Sequence, residues 1–141
     1  MDDDQARGAF HHIDLSVRDV AASKRVYGPV LEFLGYTCVK DESDGCEWDI
    51  RGREPFGGSL GIRQATSAGT HDGYAPGLQH LAWRAASRDE VDRLHGLLIE
   101  HDIAVLDPPA HYPQYSGDYY AVFFADPDGI RLELVHAPGW I

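Results

Sequence analysis

The sequence predicts an α+β fold of two paired βαβββ modules, forming a cupped mixed sheet with the helices on its outer face. Three observations predict it. The pattern strand, helix, strand, strand, strand occurs twice; a small, glycine-rich connector, ATSAGTHDGYAPG, separates the two copies; and each copy opens on a histidine, His12 or His80, giving a period of 68 residues. One such unit covers only one face of its own sheet, so two are expected to pair through their inner faces. At 141 residues the chain suits one domain, with module one at about 8–64 and module two at about 78–137.

Each element follows from local pattern. His12 to Val17 alternates polar and apolar residues, which predicts a strand with one buried face. Asp19 is placed to cap a helix whose apolar stripe is Val20, Val26, Tyr27, Val30, Leu31 and Leu34. Gly28-Pro29 should kink or divide that helix, and Gly35 should stop it. Strands are expected at Tyr36 to Lys40, Glu47 to Arg51 and Ser59 to Gln64, with a Gly/Pro turn before the last. In the second copy His80 to Ala85 reads as a strand, Ser87-Arg88-Asp89-Glu90 as a capping box, and Val91, Leu94, Leu97 and Leu98 as the buried side of a helix. Three strands follow at Ile103 to Leu106, Tyr119 to Ala125 and Ile130 to Val135, the last two joined by the turn residues Asp126-Pro127-Asp128-Gly129.

Composition narrows the function classes. A net charge of −11 opposes binding to a phosphate backbone, so nucleic acid is not an expected partner. No apolar run is long enough to span a bilayer and the acidic start, MDDDQARG, has no apolar leader core, which makes the cytoplasm the expected location and excludes a membrane partner. The two cysteines, Cys38 and Cys46, form no CxxC pair and are expected to be reduced.

Period-two parity then sorts side chains between the two faces of each strand. Ile13, Leu15 and Val17 face the helix, leaving His12, Asp14 and Ser16 for the cup; Leu81, Trp83 and Ala85 do the same in the second copy, leaving His80, Ala82 and Arg84. In the last strand Ile130, Leu132 and Leu134 form the apolar set, so Arg131, Glu133 and Val135 share the opposite face. Taken singly, Glu133 also fits a solvated strand face beside Arg131. Two histidines at equivalent positions of a repeat, with a glutamate on the repeat's final strand, instead match a two-imidazole, one-carboxylate ligand set. Such a set suits Fe, Mn, Zn, Ni or Co and leaves coordination positions open.

The segments FHHIDLSVRDVAASKRVYGPVLEFLGY, GLQHLAWRA and VFFADPDGIRLELV resemble the vicinal oxygen chelate superfamily, which groups glyoxalases, bleomycin resistance proteins and extradiol dioxygenases. The resemblance covers about residues 8–137, and DPDG-x-x-x-E is its most specific part. It implies paired βαβββ modules and one divalent transition metal held by His12, His80 and Glu133; His11 has the wrong parity. It further implies a small-molecule substrate and is compatible with a homodimer.

Departures from the family pattern narrow the activity that the resemblance implies. Gly61 stands where glyoxalase I-like members carry a Glu or Gln ligand, so the usual glyoxalase base is missing. Phe123 stands where extradiol enzymes carry a tyrosine, and the upstream histidine, His111, comes too early. The expectation is therefore a metal-dependent enzyme of dioxygenase or lyase type acting on a small oxygen-rich or aromatic substrate, with Tyr115, Tyr119 and Tyr120 as candidate proton donors and Arg63 and Trp48 as candidate substrate contacts. The alternative is a non-enzymatic protein that sequesters an aromatic ligand.

Overall fold

The computed structural model describes residues 7–51 and 57–140. The Gly/Pro turn expected before the fourth strand falls largely on residues 52–56, outside the described residues. The chain divides into two compact units between Ala68 and Gly69. The first contains β1 (His12–Val17), α1 (Val20–Phe33), β2 (Thr37–Glu42), β3 (Gly45–Ile50) and β4 (Gly58–Gln64); the second contains β5 (His80–Arg84), α2 (Arg88–Glu100), β6 (Ala104–His111), β7 (Tyr120–Ala125) and β8 (Arg131–His136). Both units are thus βαβββ, as the repeat predicts. Among the described residues no helix is long and apolar enough to cross a membrane.

Each unit is a four-stranded mixed sheet with the same topology, β1-β4-β3-β2 in the first and β5-β8-β7-β6 in the second. The first and last strands of a unit pair in parallel, and the remaining pairs are antiparallel. Parallel pairing requires a crossover, which the helix supplies by packing back over one face. That face holds the core. Leu15, Val17, Trp48, Leu60 and Ile62 are buried in the first unit with Val26, Tyr27, Val30 and Leu31 of α1. Val122, Phe124, Leu132 and Leu134 are buried in the second with Val91, Leu94 and Leu98 of α2.

Caps place the helices. Asp19 Oδ1 accepts from Ala22 N at 3.2 Å, and Ser87 Oγ accepts from Glu90 N at 3.1 Å while Glu90 Oε1 accepts from Ala86 N. Of the expected kink or division at Gly28-Pro29, the division does not occur: α1 runs through to Phe33. Proline there forgoes one helical hydrogen bond, but Tyr27, Gly28, Val30 and Leu31 around it are all buried, so packing outweighs the lost bond. The helix ends as expected at Gly35, whose φ is 95°; Gly35 N donates to Glu32 O and Tyr36 N to Leu31 O.

The clearest departure in element length is β6, which reaches His111 rather than ending at Leu106. Pro108 and Pro109 argue against a strand, yet β6 lies at the sheet edge and its register shifts between Val105 and Asp107 and again between Asp107 and Ala110. Edge position and bulges are the settings in which a strand tolerates residues without an N–H. The extra length carries Asp107 along the sheet. At the β7–β8 turn Asp126 Oδ1 accepts from Asp128 N and Ile130 N, and Gly129 takes a φ of 80°, which explains the DPDG composition.

The end of α2 repeats the α1 stop with a different residue. Ile103 N donates to Leu98 O and Asp102 N to Ile99 O, but the left-handed position is Asp102, with φ 55°. A residue with a β-carbon is strained there where glycine is not. Asp102→Gly is expected to raise unfolding stability by roughly 0.5–1 kcal/mol, read as a higher urea midpoint with unchanged m-value.

Candidate metal and ligand site

On the sheet face of the second unit that does not carry the core, parity brings Glu133, Phe123 and Ala82 into one row, with Arg131 and His80 in the next. Glu133 is 1% exposed. Tyr119, immediately before β7, donates its hydroxyl proton to Glu133 Oε2 in a short hydrogen bond. On the other side His80 Nε2 lies 3.3 Å from Glu133 Oε1, yet that oxygen is buried with no hydrogen-bond partner among the described residues. His80 Nδ1 contacts Gln79 Oε1, a partner that leaves Nε2 facing the carboxylate.

Burial pushes the Glu133 carboxyl above its ordinary value, and the Tyr119 hydrogen bond, His80 and Arg131 pull the other way. Tyr119 is raised far above the usual phenol range, first by its own burial and then by the adjacent Glu133. Tyr119 therefore keeps its proton and acts as a donor. One carboxylate oxygen is thus occupied by Tyr119, and the other stands unpaired beside an imidazole nitrogen. An unpaired buried acceptor next to a nitrogen donor atom fits a divalent cation, which would compensate the cost of burying the carboxylate.

Around this pair is a cavity of about 300 Å³. Its aromatic side consists of Tyr112, Tyr115, Tyr119, Phe123 and Trp140, and its polar side of Gln79, His80, Asp107, Arg131 and Glu133. Tyr112 stacks on Tyr115 at 5.6 Å and meets Phe123 edge-on at 5.5 Å; Trp140 lies 5.3 Å from Tyr119. The chain beyond β8 is tied down beside it, because Gly139 N donates to Asp118 Oδ2 at 2.7 Å.

The other residues singled out from the sequence fall differently. His12 is exposed on β1 of the first unit, its Nδ1 3.1 Å from that of His11. Among the described residues no group of three or more His, Cys, Asp or Glu side chains gathers into a metal cluster. Arg63 shares its face with His12 and lies 3.5 Å from Asp14. Trp48 is corrected from a substrate contact to a core residue: it pairs with Leu60, shares the helix-facing side and is 1% exposed. Tyr120 is likewise corrected, because its parity is opposite to that of Tyr119; its hydroxyl donates to Asp92 of α2 at 2.6 Å and Arg88 covers its ring. Tyr115 is half exposed at the cavity rim.

Asp107 and Trp140 were not foreseen. Asp107 was hidden by the two prolines that follow it, and Trp140 lies beyond the last strand, where period-two parity carries no information. Gly61 gains a physical reason. A β-carbon there would collide with the Asp14 carboxylate, which lies across the glycine from the neighbouring strand.

The βαβββ repeat thus carries a buried carboxylate and an imidazole inside an aromatic cavity on the second unit's sheet face. The chain belongs to the Glyoxalase/Bleomycin resistance protein/Dioxygenase superfamily, whose profile matches residues 9–134. It is 38% identical over 130 residues to the uncharacterized protein YqjT of Bacillus subtilis (strain 168), covering 89% of this chain and 97% of that protein. Its fold matches a Bacillus halodurans crystal structure provisionally called a glyoxalase, at 28% identity and a TM-score of 0.77 over 94% of this chain and 98% of that one. A glyoxalase/dioxygenase from Nostoc punctiforme shares the fold at 23% identity, with a TM-score of 0.71 over 98% and 96% of the two chains.

The Glu133 environment fixes the sign of a pH effect in metal-free protein. A carboxyl raised on folding contributes stability that is full below its unfolded value, near 4.5, and is lost as pH rises through the higher folded value. Metal-free protein is expected to lose stability over that rise, and Glu133→Gln to flatten the loss, in urea unfolding followed from about pH 4 to pH 8.

Proposed function

We propose that the protein is a divalent-metal-dependent enzyme of its superfamily, acting on a small oxygen-rich or aromatic substrate, with His12, His80 and Glu133 as the metal ligands. The observation that carries this reading is Glu133 Oε1, buried, without a hydrogen-bond partner among the described residues and 3.3 Å from His80 Nε2. His12 enters by the repeat: it opens β1 as His80 opens β5, in the parallel strand pair of each unit. The two units are read as parts of one functional domain. A bound divalent metal would supply Lewis-acid polarisation of substrate oxygens.

The residues of the chain supply the rest. Tyr119 holds Oε2, which fixes the carboxylate plane and leaves Oε1 to face inward. Its retained proton is the one given to Glu133, so Tyr119 holds the ligand carboxylate, and it could donate to developing negative charge only by releasing that bond. Tyr112 and Phe123 line the cavity, and Tyr115 and Trp140 stand more than half exposed beside them, an aromatic wall suited to a planar substrate. Dioxygenase or lyase chemistry is favoured over glyoxalase I chemistry because the Gly61 position carries no carboxylate of its own and Asp14 fills the space beside it.

The aromatic lining also supports a second reading, a binding protein that sequesters an aromatic ligand without metal. Elemental analysis separates the two. Protein as isolated is expected to hold about one equivalent of transition metal, and Glu133→Ala to lose it; stoichiometric metal in that variant would remove Glu133 from the site. Oxygen uptake after iron reconstitution then divides dioxygenase from lyase chemistry. Tyr119→Phe is expected to weaken metal binding by about 10–100-fold in chelator competition, the usual effect of removing an outer partner of a ligand.

A further inference from the structure

Arg131 has a role that the metal site does not use. It lies two residues before Glu133 on the same face of β8, with its guanidinium carbon 5.3 Å from the Phe123 ring centroid. One edge of the guanidinium is engaged, since Nη2 is 3.5 Å from Asp107 Oδ2. Nε is buried and has no hydrogen-bond partner among the described residues. Arg131 also lines the same cavity as Tyr112, Tyr115 and Trp140. A buried N–H without an acceptor is costly to leave unmade, and guanidinium N–H groups match a carboxylate oxygen well.

We infer that the cavity takes a single-ring aromatic carboxylate, whose ring lies among Tyr112, Tyr115, Phe123 and Trp140 and whose carboxylate accepts from the Arg131 guanidinium. This rests on the metal reading above, because a divalent cation at Glu133 and His80 makes positive charges outnumber the negative charges of Asp107 and Glu133 around the ligand. Asp107 then acts as a positioning residue that holds the guanidinium against Phe123. The size fits: about 300 Å³ lies at the small end of ligand pockets and accommodates one ring rather than a fused or extended system.

The test uses benzoate, benzamide and acetate as probes against protein as isolated, followed by isothermal titration and by the fluorescence of Trp140, with Trp140→Phe as the control that assigns the signal. Benzoate is expected to bind at least about tenfold more tightly than benzamide, the charge partner being worth more than a neutral hydrogen bond, and more tightly than acetate, which has no ring. Arg131→Gln is expected to abolish the preference for benzoate over benzamide while leaving metal content unchanged, and Arg131→Lys to restore only part of it, because an ammonium lacks the planar donor array. Equal affinity for benzoate and benzamide in the parent protein, or a preference that survives Arg131→Gln, would overturn the inference. In the latter case the carboxylate is held elsewhere, and the metal reading stands. Metal absent from the parent protein with an Arg131-dependent preference intact would instead overturn the metal reading and leave the ligand class in place.

Discussion

A carboxylate buried in the middle of a sheet constrains everything placed around it. Leaving Glu133 charged and unpartnered at 1% exposure would cost several kcal/mol, so each neighbour must be polar in the right direction or small enough to make room. Tyr119 answers the first requirement at Oε2, and Ala82, directly opposite on β5, answers the second. The requirement extends outward. Tyr119 can donate to Glu133 only because it is itself buried among Tyr112, Tyr115 and Trp140, which hold its ring. Those rings are fixed in turn by the segment before β7 and the chain after β8, joined through Asp118 and Gly139.

The same constraint accounts for the difference between the two open sheet faces. In the second unit Tyr119, Ala121 and Phe123 form a buried cluster with Tyr112, Val135 and Ala137 packed against it. In the first unit the corresponding face carries Asp14, Glu47, Asp49 and Arg63, side chains that remain partly or wholly exposed and satisfy one another or water. Topology and register are shared, yet one face is built to shield a charge and the other to display several. A fold repeat fixes where side chains point and leaves open what they do there.

Much of this was legible because strand parity is a hard geometric rule. The placement of His12, His80 and Glu133 on core-free faces follows from alternation alone, as does the burial of Leu132 and Leu134. Aromaticity by itself does not place a ring in a pocket: Trp48 shares parity with Leu60 and Tyr120 is opposite in parity to Tyr119. Local breakers were overrated where tertiary packing or edge position could absorb them, at Gly28-Pro29 in α1 and Pro108-Pro109 in β6. Contacts such as Tyr119 to Glu133 join residues fourteen apart across a loop, and no local pattern encodes the depth at which that loop folds back.

The register exposes an exchange between the units that no linear reading shows. His12 and His80 stand beside Ser59 and Arg131; one row further along, Asp14 faces Gly61 in the first unit while Ala82 faces Glu133 in the second. On the parallel strand pair each row therefore contains one carboxylate and one small residue, the carboxylate coming from the first strand in one unit and the last strand in the other, and in the first unit Glu47 of β3 adds a second carboxylate beside Gly61. The pairing follows from space. Asp14 lies across Gly61 so closely that any side chain there would displace it, and a bulky residue in place of Ala82 would crowd the buried Glu133. Gly61 is thus more than the loss of a ligand. It is the partner that lets Asp14 occupy the row, just as Ala82 is the partner of Glu133, and the difference in burial between the two carboxylates follows from what covers each face.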